Sequence, residues 1–403
     1  MAARGAGGAP RRKQRAQALA ERRNRKMATS VHAYVRGNTT RFYEWLATIA
    51  PNSFPQGPAI WICGDCHVGN LGPLADIDGR VEMGLRDFDQ TVIGNPAHDL
   101  MRLALSLATA ARSSDLPGVV TAKMIEGLVE HYAKEFGARP SKPPTPPPSV
   151  TRPMKEARQR SWRHLADERV EGMTRRFPIG AQFWPVAREE RRAINELFAS
   201  PELQALATRL GYRKDDAEVH VLDCAYWRKG CSSLGLTRYA VLLDVGGKAA
   251  RGRDLCLFDV KEATRPLAPH YDDAGMPRDQ AERVVMGACS LSPFLGERMA
   301  HVRLLGSSMF VRELLPKDLK LELARVDTDE AIQVAHYLAR VVGRAHARQL
   351  ARPERKAWQA ELRRNRSKTI DAPSWLWSGV VDLVGIHERA YLDHCRRYAL
   401  NAA

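Results

Sequence analysis

The stretch from Trp61 to Asp99 constrains this chain more than any other. It sets Asp65, His67, Asn70, Asp87, Asp89 and Asp99 among glycines and short apolar runs, the pattern of a polar site carried on turns at strand ends. Two apolar runs frame it: Ala59-Ile60-Trp61-Ile62 ahead of Gly64, and Val81 to Leu85 ahead of Asp87. Together they predict a hairpin that presents carboxylates and an amide at its mouth.

The order of these groups has chemical content. Phosphoryl transfer needs one carboxylate to orient the attacking hydroxyl, and an amide oxygen with a second carboxylate to hold Mg²⁺ against nucleotide phosphates. In kinases the first Asp and the Asn lie about five positions apart, and the metal-binding Asp follows a short hairpin later. Asp65, Asn70 and Asp87 repeat that order and approximate spacing, with Asp89 as a further candidate metal ligand.

The run GDCHVGN followed by DFDQTVIGNPAHDL resembles the GD-x-H-x-x-N, DFD and DP-x-x-DL signature of aminoglycoside phosphotransferase-like kinases. With RKMATSVHAYVRG, FDVKEA and the late GRAHAR, most of the chain also resembles the bacterial family called domain of unknown function 2252. The resemblance implies an α+β, two-lobed, protein-kinase-like fold that takes ATP and Mg²⁺, with Asp65 as catalytic base. It names no acceptor. Where the aminoglycoside class has His before Gly-Asp, this chain has Cys63.

A chain of 403 residues, 44% apolar and 27% charged, has room for two buried cores. No apolar run approaches the roughly 18–20 residues of a membrane span, and the basic N-terminus lacks the apolar segment of a secretory signal. Seven irregularly spaced cysteines suit reduced thiols, so the expected location is cytoplasmic. Of the +16 net charge, half comes from residues 1–26, where nine Lys or Arg face Glu21 alone. That segment reads as a solvated basic tail, with a nucleic-acid-binding arm as the alternative.

Past the tail, Met27 onward predicts a helix beside the site. There Arg36 is a candidate phosphate contact or a surface residue. Leu100, Leu103, Leu107 and Ala110 share one helical face, and Asp99 reads as a cap at that helix's start. A second helix is expected over 119–136. Seven prolines in 138–153 argue against helix and for an extended linker, and 155–211 reads as helical.

The character changes near residue 216. Ala217 to Trp227, Thr237 to Asp244 and Asp254 to Lys261 predict strands of a small antiparallel sheet. The turn Gly230-Cys231-Ser232-Ser233-Leu234-Gly235 is a candidate phosphate cover through its backbone N–H groups, although not a full G-x-G-x-x-G. Alternation places Lys261 on the face of Leu255 and Leu257, where a buried ammonium needs a partner. Nucleotide phosphates and Glu282 are the candidates, with Glu262 competing. Two further strands, 301–305 and 308–314, lead to Arg312-Glu313-Leu314-Leu315-Pro316, which by resemblance is the inter-lobe connection. Ile332, Ala335, Leu338, Val342 and Ala345 then mark a helix ending at GRAHAR. Its His346 reads as a packed or capping residue, with a catalytic role as the alternative.

These assignments invert the usual kinase order. The catalytic half precedes the glycine-turn and lysine half, which predicts a circular permutation. The expected segments are a basic tail 1–26, a catalytic-loop half 27–137, a linker 138–154, a helical insertion 155–215, a β-rich nucleotide lobe 216–320 and closing helices 321–403. Other classes stay open. A metal-dependent hydrolase would use Asp65, His67, Asp87 and Asp89; a kinase-like scaffold would bind without catalysis; nucleotidyl transfer would use nearly the same groups. Cys63-x-x-Cys66-His67 formally matches haem attachment or part of a zinc site, but it has neither an export signal nor a second ligand pair.

Overall fold

The structure is a computed structural model that describes residues 12–50, 53–137, 142–162, 165, 176–229, 235–246, 255–319, 327–363 and 373–398. In chain order, α1 (Arg12–Met27), α2 (Val31–Gly37) and α3 (Thr39–Leu46) lead to β1 (Ile60–Ile62), the hairpin β2 (Leu71–Ala75) and β3 (Val81–Leu85), and β4 (Val92–Gly94). Next come α4 (Pro96–Ser113), α5 (Gly118–Ala133), α6 (Pro148–Gln159), β5 (Phe183–Trp184), α7 (Arg188–Phe198) and α8 (Pro201–Thr208). The strands β6 (Val219–Trp227), β7 (Arg238–Val245) and β8 (Leu255–Glu262) precede α9 (Gln280–Leu291) and α10 (Pro293–Gly296). The chain closes with β9 (Met299–Leu304), β10 (Ser307–Leu314), α11 (Thr328–Ala347), α12 (Arg352–Arg363) and α13 (Ser374–Tyr398). This is a mixed α and β architecture. Among the described residues no helix is long and apolar enough to cross a membrane.

One antiparallel sheet runs β5-β6-β7-β8-β10-β9. β6 to β10 begin and end within two residues of the expected runs, because apolar alternation is strong there; β5 instead interrupts the span 155–211 that reads as helical, where Phe183 and Trp184 pair with Trp227 and Tyr226 of β6. On β8, Cys256, Phe258 and Val260 join a core with Ile194 and Phe198 of α7, Leu203 of α8 and Leu19 of α1. Leu255 and Leu257 pack on the other face with Trp227, Leu242 and Leu314. Asp259 and Lys261 share that second face by parity. The larger core joins α4, α5, α11 and α13 to the small strands β1 to β4, and α4 is buried almost all round.

Four local expectations change. Residues 12–27 of the supposed tail form α1, which bridges the two halves of the molecule. Arg15 is buried in an ion pair with Glu190 at 2.8 Å, and Arg22 donates to the Ala181 carbonyl at 2.7 Å. At the far end His394 bonds the Asn24 carbonyl at 2.8 Å. Burying Leu19 adds about 1.5–3 kcal/mol, enough to hold a helix whose composition alone suggests solvation. The expected linker yields to α6 from Pro148, where a proline at the first helical position forfeits no bond. Pro153 lies inside that helix and is outweighed by the buried face of Val150, Met154 and Ala157. Asn38 breaks the helix expected after Met27 by capping α3 through the Arg41 N–H. Finally, β1 pairs with β4 rather than with Val81–Leu85, and the hairpin partner of β3 is β2.

Candidate functional site

The loop from Gly64 to Asn70 leaves β1 by a backbone turn that only glycine fits. Gly64 has φ +73°, and a Cβ there would stand 2.0 Å from the Gln90 carbonyl oxygen. Asp99 then grips the loop. Its fully buried carboxylate accepts the N–H groups of Cys63 at 2.7 Å and Gly64 at 2.9 Å. His346 Nε2 donates to the same carboxylate at 3.2 Å, and the Tyr132 hydroxyl lies 2.9 Å from His346 Nδ1. The true N-cap of α4 is Asn95, so Asp99 holds the site's loop instead of capping its own helix. His346 is the packed residue anticipated, and it braces that carboxylate.

Asp65 follows in this loop. Arg102 of α4, with no exposed surface, donates to Asp65 Oδ1 at 2.8 Å and to the Val35 carbonyl at 2.6 Å. Burial raises the Asp65 pKa, and the Arg102 guanidinium opposes that rise without cancelling it. Thr39, buried beside the loop, lowers the pKa of the same carboxylate through its hydroxyl. Asn70 closes the loop by donating Nδ2 to the Asp65 carbonyl at 3.0 Å. The Asn70 carbonyl accepts the Arg86 N–H at 2.9 Å, which locks the mouth of the β2–β3 hairpin.

Asp87 and Asp89 emerge from β3, either side of the buried Phe88. Lys261, at the end of β8 and 3% exposed, donates to Asp89 Oδ2 and stands 3.9 Å from Asp87 Oδ1. Burial acts against the ionised form of Asp87, but Lys261, Arg312 and Arg238 together hold its pKa below the usual carboxylate range. Burial and then the neighbouring Asp87 charge raise the pKa of Asp89, against the pull of Lys261. Two residues before Lys261 on β8, Asp259 is wedged between Arg238 at 2.7 Å and Arg312 at 3.1 Å. Those arginines outweigh its burial and hold its pKa far below normal.

Asp65, Asn70, Asp87 and Asp89 share a cavity of about 270 Å³ with Gly235 and Glu262, and Arg23 of α1 and Gln90 also line it. Gly230, Ser232 and Ser233 lie outside the described residues. Glu282 does not pair with Lys261. Its neighbour Arg283 is fully buried, and it donates to the carbonyls of Asp89 at 3.0 Å and Thr264 at 2.9 Å and to that of Thr91. Glu262 accepts the Thr237 N–H at 2.9 Å and so braces the strand pair instead of neutralising Lys261. Arg36 lies over Gly69, where a Cβ would meet its guanidinium carbon at 2.6 Å.

Sequence reasoning missed Arg23, Arg102 and Arg283. Arg102 was legible in principle: an arginine inside the apolar face of α4 needs a buried acceptor. Arg23 was hidden in a low-complexity basic run. Cys63 and Cys66 are buried thiols, and burial followed by the Asp99 charge pushes both well above the ordinary thiol range. Among the described residues no group of three or more His, Cys, Asp or Glu is arranged to hold a metal ion. Asn70, Asp87 and Asp89 line one cavity and carry hard oxygen groups of the kind Mg²⁺ takes. Asp89 Oδ1 is buried without a hydrogen-bond partner.

Neither a search of curated proteins nor one of solved structures found a match. A family model does match, over residues 15–397, which is nearly the whole chain including α1. The chain therefore belongs to the family described as "uncharacterized protein conserved in bacteria", DUF2252.

Proposed function

We propose that this protein is an ATP- and Mg²⁺-dependent phosphotransferase of kinase-like, circularly permuted architecture, acting on a hydroxyl acceptor. The observation that carries the reading is the meeting of Lys261 with Asp87 and Asp89 beside the cavity that Asp65 and Asn70 also line. The catalytic-loop half and the lysine strand lie far apart in sequence, and a nucleotide site requires both at one place.

In this reading Asn70 and Asp87 hold Mg²⁺, with Asp89 as an additional ligand. Bound Mg²⁺ would supply charge neutralisation across the nucleotide phosphates. Lys261 turns from Asp89 to the phosphates, and Gly235 lines the cavity that would take them. Asp65, whose Oδ1 accepts from Arg102, takes the proton of the attacking hydroxyl. Asp99 fixes the loop that carries Asp65. The Lys261-orienting role expected of Glu282 is not carried into this reading, because Lys261 pairs with Asp87 and Asp89 instead.

The Arg102–Asp65 ion pair favours a second reading as well, a nucleotide-binding scaffold in which Asp65 is structural. Release of labelled phosphate from ATP by the full-length protein separates the two. Phosphotransferases show slow transfer to water, and Asp65→Asn should lower it at least 100-fold with nucleotide binding retained. Turnover unchanged in Asp65→Asn would leave the scaffold reading.

A further inference from the structure

A second cavity, of about 330 Å³, lies between α1, the α2–α3 junction and α13. Arg23 lines both it and the cavity that holds Asp65 and Asp87. The α2–α3 junction forms the wall between them: Asn38, Thr40 and Arg41 line the second cavity, while Thr39, between them in sequence, is buried beside Asp65.

The lining is cationic and aromatic. It holds Arg23, Arg41 and Arg397 with Tyr34, His394 and Tyr398. The His394 ring packs against Tyr34 at 5.3 Å and Tyr398 at 4.6 Å between centroids. The only carboxylate among the described lining residues, Asp393, is paired with Arg396 at 3.2 Å. Arg23 Nε is buried without a hydrogen-bond partner, and among the described residues no carboxylate pairs with this side chain. A guanidinium held in that state next to a polar cavity is a ready partner for a phosphate, whose oxygens match its planar fork.

We propose that the second cavity binds the acceptor, a small hydroxylated molecule that carries a phosphate group. Arg23, which lines both cavities, and Arg41 hold that phosphate, the ring cluster contacts the carbon skeleton, and the hydroxyl end reaches past the Arg23 side of the wall into the cavity of Asp65. The word acceptor rests on the phosphotransferase reading; the anion site does not. In the transfer the acceptor O–H bond breaks, and its oxygen bonds to the terminal phosphorus of ATP. The bond from that phosphorus to the bridging oxygen breaks, ADP keeps the electron pair, and Asp65 takes the proton.

The test is calorimetric titration of the full-length protein, without nucleotide, with glycerol 3-phosphate and glucose 6-phosphate, and with glycerol and glucose as neutral controls. Arg41, whose side chain is 44% exposed and pairs with the exposed Glu44, can be changed without opening the core. The proposal predicts saturable binding of at least one phosphate ester and none of the neutral compounds. Affinity should fall about tenfold or more in Arg41→Gln and recover in part in Arg41→Lys, while stabilisation by Mg²⁺ and ATP stays at its wild-type value. Absence of binding by either ester, or equal affinity in Arg41→Gln, overturns the site. Ester binding through Arg41 with no response to Mg²⁺ and ATP overturns both its assignment to an acceptor and the phosphotransferase reading, and leaves an anion site alone.

Discussion

The Lys261 ammonium stands 3.9 Å from the Asp87 carboxylate, and its nearer partner is Asp89. This contact joins the two halves that the chain order separates. Lys261 reaches it from the sheet face shared with Leu255 and Leu257, where an unpaired charge would cost several kcal/mol. The aspartates supply the counter-charge that nucleotide phosphates would share.

Replacing Lys261 by Met should therefore destabilise the fold at neutral pH. Breaking a fully buried pair costs about 3–5 kcal/mol, and the lower end applies here because the Asp87 side chain is 40% exposed. Without the ammonium, the raised pKa of Asp89 should climb further. A carboxyl raised on folding is stabilising below its unfolded value and loses that stabilisation as pH rises through its folded value. The deficit measured by urea unfolding should thus be smaller at pH 4 than at pH 7. An equal deficit at both would mean the two carboxylates do not depend on Lys261.

Asp99 makes a sharper demand on chemistry. In Asp99→Asn one carboxylate oxygen becomes an N–H₂ group, so either the Cys63 or the Gly64 N–H loses its acceptor. An orphaned buried donor costs about 1–3 kcal/mol. Chemical denaturation should show a loss in that range, and nucleotide turnover should fall with it, since the loop carries Asp65. Stability equal to wild type would show that the loop does not need the grip.

Asp259 sets the acid limit of the sheet. Its pKa is held far below normal by Arg238 and Arg312 acting against burial. The stabilisation is present in full above the unfolded value of about 3.9 and is lost as pH falls toward the folded one. Urea midpoints should decline as pH drops below about 4, and Asp259→Asn should flatten that decline while lowering stability at pH 7. A decline of unchanged steepness in the variant would assign acid sensitivity elsewhere.

The N-terminal helix gives a fourth test. Arg15→Ala leaves Glu190 buried with only Tyr239 and the Ala187 N–H as donors, and removal of one partner of a buried pair costs about 3–5 kcal/mol. The side chains are 9% and 2% exposed, so solvent screens little of this. A drop in thermal midpoint with new protease cleavage within α1 is expected. Unchanged stability would return residues 12–27 to the status of a solvated tail.

What the sequence made legible follows from the range of each signal. Alternation and helical spacing are local, so β6 to β10, α4 and α11 were readable nearly to the residue. Asp65, Asn70 and Asp87 do line one cavity, and their order along the chain was visible because one loop and one hairpin carry all three. Pairing across the chain was not. Nothing near Arg15 points to Glu190, and helix phase did not indicate that Arg283, rather than Glu282, would turn inward from α9. Proline count misled at α6 because a proline at the first helical position costs no bond. Asp99 was read as a cap from its place near a helix start, whereas its partners lie in the preceding loop.

The most direct test of the central claim is thermal stability of the full-length protein with and without Mg²⁺ and ATP, in wild type and Asp87→Ala. Ligand at about 100 times its dissociation constant adds roughly 2.7 kcal/mol, which is a shift of a few degrees for a chain of this size. The account predicts a wild-type shift that requires both Mg²⁺ and nucleotide and disappears in Asp87→Ala. A wild-type protein that shows no shift with ATP, or a shift that survives in Asp87→Ala, would contradict it.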